Sequence, residues 1–313
     1  MTAPPGAPYA GMISIVIPTI ERDAHLRRCL ESLLSDDAGG PFEMFVGDQS
    51  PDDRRDRILA GLDAANIRWL RVPKGKCRAL NRALAAARGD LFACLDDDVA
   101  VRAGWFRELR RIGGERPFDI VYGAVVEPRP LAPGEVLPRT ELLSATAAIG
   151  PERGKRALLG MGANVAGRTA VFRTLGGFDE AFGPGSVVGA GDDVDFAIRA
   201  TDARLHRRFD PALVVAHYEF QRVADGSAGA LLNQYARGYG GIWMKDLRLG
   251  NWRRAASRLK GVLLASPKDA ERRAAQGRAA RIRHFAAGAR VAARLPLDRK
   301  ARLFRSPPPE GPS

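Results

Sequence analysis

The stretch Leu91-Phe92-Ala93-Cys94-Leu95-Asp96-Asp97-Asp98 places five apolar residues directly before three carboxylates. A continuous apolar run of this length, bounded by polar residues, is typical of a strand that is buried on both faces. Three carboxylates held close together repel one another unless a cation or a basic side chain neutralises them. The stretch therefore predicts a buried strand that presents an acidic cluster, Asp96–Asp98, at its carboxyl end.

The residues before that stretch alternate between strand and helix patterns. Runs of β-branched and apolar residues predict three strands, at Ile13–Ile17, Phe42–Val46 and Ile67–Val72. Apolar residues at helical spacing predict a helix after each strand, at Leu26–Leu34, Ile58–Leu62 and Leu80–Ala87. Alternating strands and helices form right-handed crossovers, which predicts an α/β, Rossmann-like fold with a mostly parallel sheet flanked by helices. Ligands bind at the carboxyl ends of such strands, which here carry Pro18-Thr19, Asp48 and the acidic cluster.

The chemistry of the acidic cluster leaves two interpretations open. Carboxylate oxygens suit Mg²⁺ or Mn²⁺, and either ion would also bind a diphosphate. The alternative is an acidic turn, or a helix N-terminus before Trp105, without a bound ion. The sequence shows no obvious basic neighbour that would neutralise the cluster, and this favours the metal interpretation.

The charge of the chain is distributed unevenly. The 313 residues are enough for one large domain with an appendage, and the net charge is +13. Residues 251–305 alone hold 16 basic and 3 acidic residues, whereas the rest of the chain holds 33 of each and is formally neutral. The basic character therefore belongs to the C-terminal segment and not to the fold as a whole.

Cysteine usage and the N-terminal residues bear on the compartment. Cys29, Cys77 and Cys94 lie in a predicted helix, helix and strand, and their odd number argues against a disulfide framework. The first residues lack the basic start and apolar stretch of a secretory signal. No window approaches the roughly 18 apolar residues of a membrane-spanning helix. We therefore predict a cytoplasmic protein. Peripheral contact with the inner face of the membrane is compatible with this prediction.

Five segments in the first hundred residues form an ordered series of motifs. They are Val16-Ile17-Pro18-Thr19 with Arg22, Val46-Gly47-Asp48-Gln49-Ser50, Gly75-Lys76-Cys77-Arg78-Ala79-Leu80-Asn81, Arg88-Gly89-Asp90 and Leu95-Asp96-Asp97-Asp98. Together they resemble the core of family 2 glycosyltransferases of the GT-A fold, over about residues 12–220. Two positions depart from the family pattern, because Leu80 stands where an Arg often precedes the Asn, and Gly47 replaces a common Asp.

The resemblance implies roles for individual residues. Contacts with the nucleotide fall on Pro18, Thr19, Arg22 and Asp48, and contacts with nucleotide or phosphate fall on Lys76 and Arg78. Asp96 and Asp98 match the outer positions of the D-x-D motif, which holds the metal and the ribose in the family. Asp98 is the better metal candidate, while Asp96 and Asp97 are also counted among the nucleotide-sugar contacts. The implied cofactor is Mn²⁺ or Mg²⁺, and the implied donor is a UDP- or GDP-sugar.

A second acidic segment, Gly191-Asp192-Asp193-Val194-Asp195, opens a predicted helix over 194–200. Negative charge at a helix start is favoured by the helix dipole, so capping is one interpretation. The resemblance gives the other, since Asp192 matches the family's Glu and Asp193 its Asp, one of which is taken as the general base. A sugar hydroxyl attacks poorly until its proton is accepted, so a base is needed. We assign this role to Asp193, with Asp192 as the alternative.

Three further features each have two interpretations. Gly176-Gly177-Phe178-Asp179-Glu180 resembles a family segment before the acceptor side and is equally compatible with a plain turn. His217 follows a predicted strand, where the resemblance implies a ligand of the metal or the diphosphate and the alternative is a satisfied surface histidine. Trp105 and Asn164 either face the acceptor pocket or, for the tryptophan especially, belong to the core.

The C-terminal segment is rich in Ala and Arg and has a high helix propensity. A solvated helical face explains part of its charge, and attachment of an amphipathic helix to the anionic inner leaflet explains the surplus. Nucleic-acid binding is the weaker alternative, because there is no recognisable module and no row of stacking aromatics. We expect the domain to fold without the residues after Leu249, since both acidic segments precede them.

The resemblance implies a metal-dependent, inverting transfer of a sugar to a hydroxyl acceptor. The expected acceptor is a polysaccharide, a glycolipid or other lipid-linked acceptor, or a small-molecule glycoside. The predicted organisation is a GT-A domain over 10–225 with a nucleotide-binding half (about 10–100) and an acceptor half (about 101–225), a basic helical extension over 226–305 and a disordered tail over 306–313. A sugar nucleotidyltransferase would need a Gly-rich, Arg-containing loop after the first strand, which Pro18-Thr19-Ile20-Glu21 is not. A non-enzymatic nucleotide-sugar-binding protein would have no use for the second acidic segment.

Overall fold

The computed structural model describes residues 7–115, 117–136, 147–149, 160–264 and 275–305. Its strands are β1 (Ile13–Thr19), β2 (Phe42–Asp48), β3 (Ile67–Arg71), β4 (Leu91–Leu95), β5 (Val99–Val101), β6 (Ile120–Val126), β7 (Glu135–Val136), β8 (Ala147–Ile149), β9 (Asn164–Arg168), β10 (Arg207–His217), β11 (Gln221–Arg222), β12 (Leu297–Asp298) and β13 (Leu303–Phe304). Its helices are α1 (Asp23–Ser35), α2 (Arg55–Leu59), α3 (Lys76–Ala86), α4 (Trp105–Gly114), α5 (Thr169–Thr174), α6 (Asp192–Asp202), α7 (Ser227–Arg248), α8 (Trp252–Leu264) and α9 (Arg278–Arg294).

The central sheet has the strand order β3-β2-β1-β4-β9-β6-β10-β5, with β8 paired to β10. Strands β1 to β4 pair in parallel, as the alternation of strands and helices predicts. Strand β9 then lies antiparallel between β4 and β6, and β10 runs parallel to β6 but antiparallel to β5. The α/β architecture is confirmed, with a parallel first half and a mixed second half. The sequence pattern missed β5 and β9 because both lie outside the strand–helix alternation.

Strand β1 shows how the sheet separates two apolar layers. Ile15 and Ile17 pack in the layer that contains α1, whereas Val16 between them packs in the layer that contains α3. All seven residues of β1 are buried, which is typical of a strand with helices on both faces. The β-branched run ends at Thr19, which is paired in register with Asp48 at the end of β2. Polar residues are thus concentrated at the carboxyl edge of the sheet.

Local features adjust the predicted elements by a few residues. The second helix ends at Leu59, before the predicted Leu62, and Gly61 follows it with a positive φ of 76°. Cys29, Cys77 and Cys94 lie in α1, α3 and β4 as predicted, and all three are buried free thiols. No disulfide framework is therefore built from these cysteines.

Helix α7 approaches its neighbours closely through glycines. A Cβ atom at Gly240 would lie 1.9 Å from the carbonyl oxygen of Phe285 in α9, and one at Gly288 of α9 would lie 1.9 Å from that of Arg237. On another face, a Cβ at Gly238 would lie 2.8 Å from the carbonyl carbon of Ala190. Only a residue without a side chain fits at these positions. Helix α7 is therefore packed between α9 and the segment that leads into α6.

A cluster of buried ion pairs links α6 and α7 to strand β13. The Lys245 ammonium of α7 lies 2.7 Å from Asp179 Oδ2 and 2.5 Å from Asp195 Oδ1 of α6. Arg199 Nε lies 2.8 Å from Asp195 Oδ2, and the Phe304 N–H donates to Asp179 Oδ2 at 2.8 Å. Lys245, Asp179 and Asp195 are each at most 4% exposed, so each charge depends on its partners.

The residues after Leu249 pack on the rest of the molecule, and the expectation that the domain folds without them stays a prediction. Arg254 of α8 pairs with Asp202 at 2.9 Å and with Asp246 at 2.7 Å, and Arg258 pairs with Asp246 at 3.0 Å. Removing the residues after Leu249 would leave Asp202, Asp246 and the surface of α7 that contacts α9 uncovered. The predicted tail over 306–313 lies outside the described residues.

Within the ranges that the structure describes, none of the helices combines the length and apolar character needed to cross a bilayer.

We expect Lys245→Ala to lower the free energy of unfolding by about 3–5 kcal/mol, because it leaves two buried carboxylates without their common cation. Urea unfolding followed by circular dichroism measures the change. Lys260→Ala is the matched control, since Lys260 is exposed on α8 and its loss should leave the midpoint unchanged. Equal midpoints for Lys245→Ala and the parent protein would show that the cluster does not stabilise the fold.

Candidate active site

The two acidic segments face each other at the carboxyl edge of the sheet, with a lysine between them. Asp96 follows β4, Asp192 is the first residue of α6, and Lys76 is the first residue of α3. The Lys76 ammonium lies 2.5 Å from Asp96 Oδ1 and 3.7 Å from Asp192 Oδ2. The structure therefore brings together two segments that are almost one hundred residues apart in the sequence.

The electrostatics of this bridge favour the charged forms. Burial alone would lower the pKa of Lys76, but the charges of Asp96 and Asp192 outweigh it and raise that pKa well above its ordinary value. Burial likewise opposes ionisation of Asp96, yet the nearby Lys76 ammonium lowers its pKa. A positive charge is thus fixed between the two acidic segments.

Asp97 is held from the strand β1 side. Its Oδ2 accepts a hydrogen bond from Thr19 Oγ1 at 2.7 Å, and its Oδ1 lies 3.3 Å from Arg22 Nη1. Burial, followed by the charge of Asp98, raises the pKa of Asp97 to about 7. The two predicted nucleotide contacts Thr19 and Arg22 therefore lie against the acidic cluster.

Asp98 lies between Arg22 and His217. Arg22 Nη1 is 2.9 Å from Asp98 Oδ2, and its Nη2 is 2.9 Å from Glu219 Oε2. His217 lies at the end of β10, and its Nε2 is 3.4 Å from Asp98 Oδ1. This oxygen is buried and has no hydrogen-bond partner among the described residues. Sequence reasoning missed Glu219, although its position two residues after His217 was an available signal.

The interpretation that the acidic cluster has no basic neighbour is wrong, since Arg22 and Lys76 both pair with it. Among the described residues, no group of three His, Cys, Asp or Glu side chains is arranged to hold a metal ion. Asp96, Asp98 and His217 are the predicted metal ligands, but Asp96 forms an ion pair with Lys76 instead of lying with the other two. Asp98 and His217 remain adjacent, and Asp98 Oδ1, which accepts no hydrogen bond from the described residues, is the atom of the cluster that best fits a cation.

Asp193 follows Asp192 at the start of α6, where Gly191 adopts a φ of 92° before the helix. The Gly162 N–H donates to Asp193 Oδ2 at 3.3 Å, and the Val194 N–H donates to its Oδ1 at 2.7 Å. Burial, followed by the charge of Asp192, raises the pKa of Asp193 to about 6. A carboxyl with this pKa is ionised at neutral pH and remains able to accept a proton.

A small cavity adjoins this carboxyl. Its lining includes Lys76, Asp192, Asp193, Gly162 and Tyr122. The Tyr122 hydroxyl is buried and has no hydrogen-bond partner in the part of the chain that the structure describes. No pattern in the sequence distinguishes Tyr122, because it lies within the apolar strand β6.

Three predicted contacts lie outside this group of side chains. Asp48 is fully buried, and its oxygens accept from donors of the protein: the side chains of Arg54, Trp69 and Arg71 and the N–H of Ser50. Arg78 Nε lies 3.3 Å from Glu180 Oε2, and Pro18 is buried within β1 beside Gly47. Their roles in nucleotide binding remain predictions.

The segment Gly176–Glu180 forms a turn that is held in place by Asn81. The Asn81 amide donates to the carbonyl of Phe178 at 2.9 Å and to Glu180 Oε1 at 3.0 Å, and it accepts from the Phe178 N–H at 2.8 Å. Asp179 belongs to the buried cluster around Lys245. The contacts in this segment support the interpretation as a turn.

Trp105 and Asn164 belong to the core. Both are 1% exposed, and Trp105 Nε1 donates to Asn164 Oδ1 at 3.3 Å. The Asn164 amide also donates to the carbonyl of Leu213 at 2.8 Å. The core interpretation is therefore confirmed, and the acceptor-pocket interpretation is not supported.

Comparison with known proteins identifies related sequences. A family model described as glycosyl transferase family 2 matches residues 14–176. The pre-mycofactocin glycosyltransferases of two Mycobacterium tuberculosis strains, CDC 1551 / Oshkosh and H37Rv, are 31% identical over 224 residues. These matches cover 68% of this chain and 44% of the relatives, so the chain spans less than half the length of the curated relatives it matches.

Solved structures show the same fold. A mannosyltransferase, PcManGT, from Pyrobaculum calidifontis in complex with GDP-Man and Mn²⁺ superposes with a TM-score of 0.57 at 15% identity, over 91% of this chain and 89% of the other. S. aureus TarS 1-349 superposes with a TM-score of 0.52 at 16% identity, over 82% of this chain and 75% of the other. At these identities the likeness concerns the fold alone, which is the GT-A fold.

Proposed function

This chain belongs to glycosyl transferase family 2, and on that premise we propose that it transfers a sugar from a nucleoside diphosphate sugar to a hydroxyl group of an acceptor. The observation that carries this proposal is the arrangement of Asp96–Asp98 opposite Asp192 and Asp193, with Lys76 between them. One acidic segment would serve the donor, and the other would serve the incoming hydroxyl. A protein that only bound the donor would not need the second segment.

The donor would lie at the carboxyl edge of β1 and β4. Thr19, Arg22, Lys76 and Asp96–Asp98 converge there, and the lysine and arginine supply positive charge for a diphosphate. A UDP- or GDP-sugar is the proposed donor class, and the GDP-Man bound by the structurally similar mannosyltransferase supports this class.

We propose a divalent ion, Mn²⁺ or Mg²⁺, as the cofactor. Asp98 and His217 would hold it, since Asp98 Oδ1 is buried, accepts no hydrogen bond from the described residues and lies next to the imidazole. Such ions are often bound by one or two protein groups together with substrate phosphates, so a third protein ligand is not required. When bound, the ion would stabilise negative charge on the departing diphosphate. The Mn²⁺ in the structurally similar mannosyltransferase supports this proposal.

Asp193 is the proposed general base of an inverting transfer. Its carboxylate would accept the proton of the acceptor hydroxyl while the hydroxyl oxygen attacks the anomeric carbon and the bond to the diphosphate breaks. Asp192 is paired with Lys76, whereas Asp193 has no ion pair among the described residues and has a raised pKa. This difference favours Asp193 over Asp192 as the base.

We expect kcat to increase with pH through an apparent pKa of about 6, because only the ionised Asp193 accepts a proton. As the pH falls below 6, the carboxyl becomes protonated and the rate should fall about tenfold for each further pH unit. Initial rates between pH 4.5 and 8 at saturating donor measure this profile. In Asp192→Asn, loss of the neighbouring negative charge should shift the acidic limb to lower pH. An unchanged limb in this variant would contradict the assignment.

A donor panel tests the reaction itself. The full chain is incubated with UDP- and GDP-sugars, Mn²⁺ and simple glycoside acceptors, and release of the nucleoside diphosphate is measured together with a new glycosidic product. Product with inverted anomeric configuration is the expected result. Transfer of a nucleotidyl group to a sugar phosphate, or donor binding without product, would contradict the proposal.

The proposed location is the cytoplasm, with peripheral association at the inner face of the membrane. Residues 251–305 carry a surplus of 13 positive charges, which would attract anionic headgroups. A lipid-linked acceptor would be presented at the same surface.

A further inference from the structure

The outward face of α8 exposes two large apolar side chains. Trp252 is 67% and Leu264 is 68% exposed, whereas the other exposed large hydrophobic residues of the described ranges, Leu131, Val187 and Tyr239, are 37% to 41% exposed. The structure describes Trp252 and Leu264 at the first and last positions of the helix. With a rise of 1.5 Å per residue, they lie about 18 Å apart along its axis.

The opposite face of α8 is fixed to the molecule. Ala255 is buried, while Arg254 and Arg258 pair with Asp246, and Arg254 also pairs with Asp202. These contacts determine which half of the helix points outward. The basic residues of this inner half serve the fold and are not free for a partner.

The outward half combines apolar and basic groups. Arg253, Ala256 and Lys260 are exposed between Trp252 and Leu264, and α8 contains no acidic residue. Tryptophan favours the boundary between water and lipid, and the long stems of Lys and Arg follow apolar surface while their charges stay at the headgroups. This combination is typical of helices that lie in the plane of a membrane surface.

We propose that the outward face of α8, formed by Trp252, Arg253, Ala256, Lys260 and Leu264, docks on an anionic lipid surface. This proposal rests on the peripheral location proposed above and identifies the surface responsible. A protein partner would need a complementary site for two apolar groups about 18 Å apart. A fluid lipid surface accommodates both groups without such a site, and its negative charge complements Arg253 and Lys260.

Cosedimentation of the full chain with vesicles tests the proposal. Binding is expected to vesicles of phosphatidylcholine with 30% phosphatidylglycerol, to be at least ~10-fold weaker with phosphatidylcholine alone, and to weaken at 1 M salt because screening shortens to about 3 Å. The double variant Trp252→Ser/Leu264→Ser should lose at least ~10-fold in affinity. Leu131→Ser is the matched control, which removes another exposed apolar residue and should bind as the parent does.

Two measurements separate this proposal from its alternatives. Nucleotide release with a soluble acceptor should be unchanged in the double variant, so failure of the transfer reaction and failure of docking are distinguishable. Size-exclusion chromatography detects the alternative of self-association. Equal vesicle binding by the double variant and the parent, or loss of a dimer in the variant with unchanged vesicle binding, would overturn the proposal.

Discussion

Replacement of Asp193 by Asn is expected to lower the transfer rate at least ~100-fold while donor affinity stays nearly constant. The amide keeps the size of the side chain but cannot accept the acceptor proton. Donor binding should persist because Lys76, Arg22 and the acidic cluster Asp96–Asp98 are unchanged. Single-turnover rates and calorimetric titration with the nucleoside diphosphate measure the two quantities separately.

Two further variants on helix α6 serve as comparisons for Asp193→Asn. Asp192→Asn tests the neighbouring carboxylate, and a loss confined to Asp192→Asn, with Asp193→Asn active, would assign the base to Asp192. Asp202→Asn changes a carboxylate at the other end of α6, where it pairs with Arg254 at 2.9 Å. We expect Asp202→Asn to retain activity, because its side chain serves the contact with α8.

Local patterns predicted the fold of the first hundred residues well. The apolar runs of β1 and β4 and the leucine spacing of α1 are short-range signals, and each element forms within a few residues of its predicted position. The carboxyl ends of parallel strands meet at one edge, so the proximity of Thr19 to the acidic cluster also followed from topology.

Long-range pairing was not predictable from one sequence. Arg22 binds Glu219, and Lys245 joins Asp179 to Asp195, yet no local pattern indicates which opposite charges will meet after folding. Arg254 and Arg258 therefore contribute to the basic surplus of the C-terminal segment in the sequence, although in the fold both pair with carboxylates of other helices.

The two departures from the family pattern have physical explanations in the packing. Leu80 is 2% exposed within the apolar layer around α3, where an arginine would require a buried partner. A Cβ atom at Gly47 would lie 2.9 Å from the Cβ of Ala79, so β2 and α3 approach too closely there for a larger residue. Gly47 is therefore adapted to the neighbouring helix α3, and Leu80, within α3, is adapted to the apolar layer that this helix covers.

Replacement of Asp98 by Ala is expected to reduce turnover at least ~1000-fold and to remove its dependence on Mn²⁺ or Mg²⁺. The ion is proposed to contribute several kcal/mol of charge stabilisation, and each 1.36 kcal/mol corresponds to about tenfold in rate. The fold should persist, because Arg22 keeps its contacts with Asp97 and Glu219. Initial rates across a Mn²⁺ titration, with circular dichroism of the same samples, measure both outcomes.

Glu219→Gln is the matched control for that prediction. Glu219 and Asp98 each place a carboxylate oxygen 2.9 Å from Arg22, so both variants remove a negative charge from the same guanidinium. Only Asp98 also has a buried oxygen that lies beside His217 and accepts no hydrogen bond from the described residues, which is why only its loss should abolish the metal dependence. Equal losses in the two variants would attribute the effect to release of Arg22. Full turnover of the parent protein in excess EDTA would exclude the metal requirement altogether.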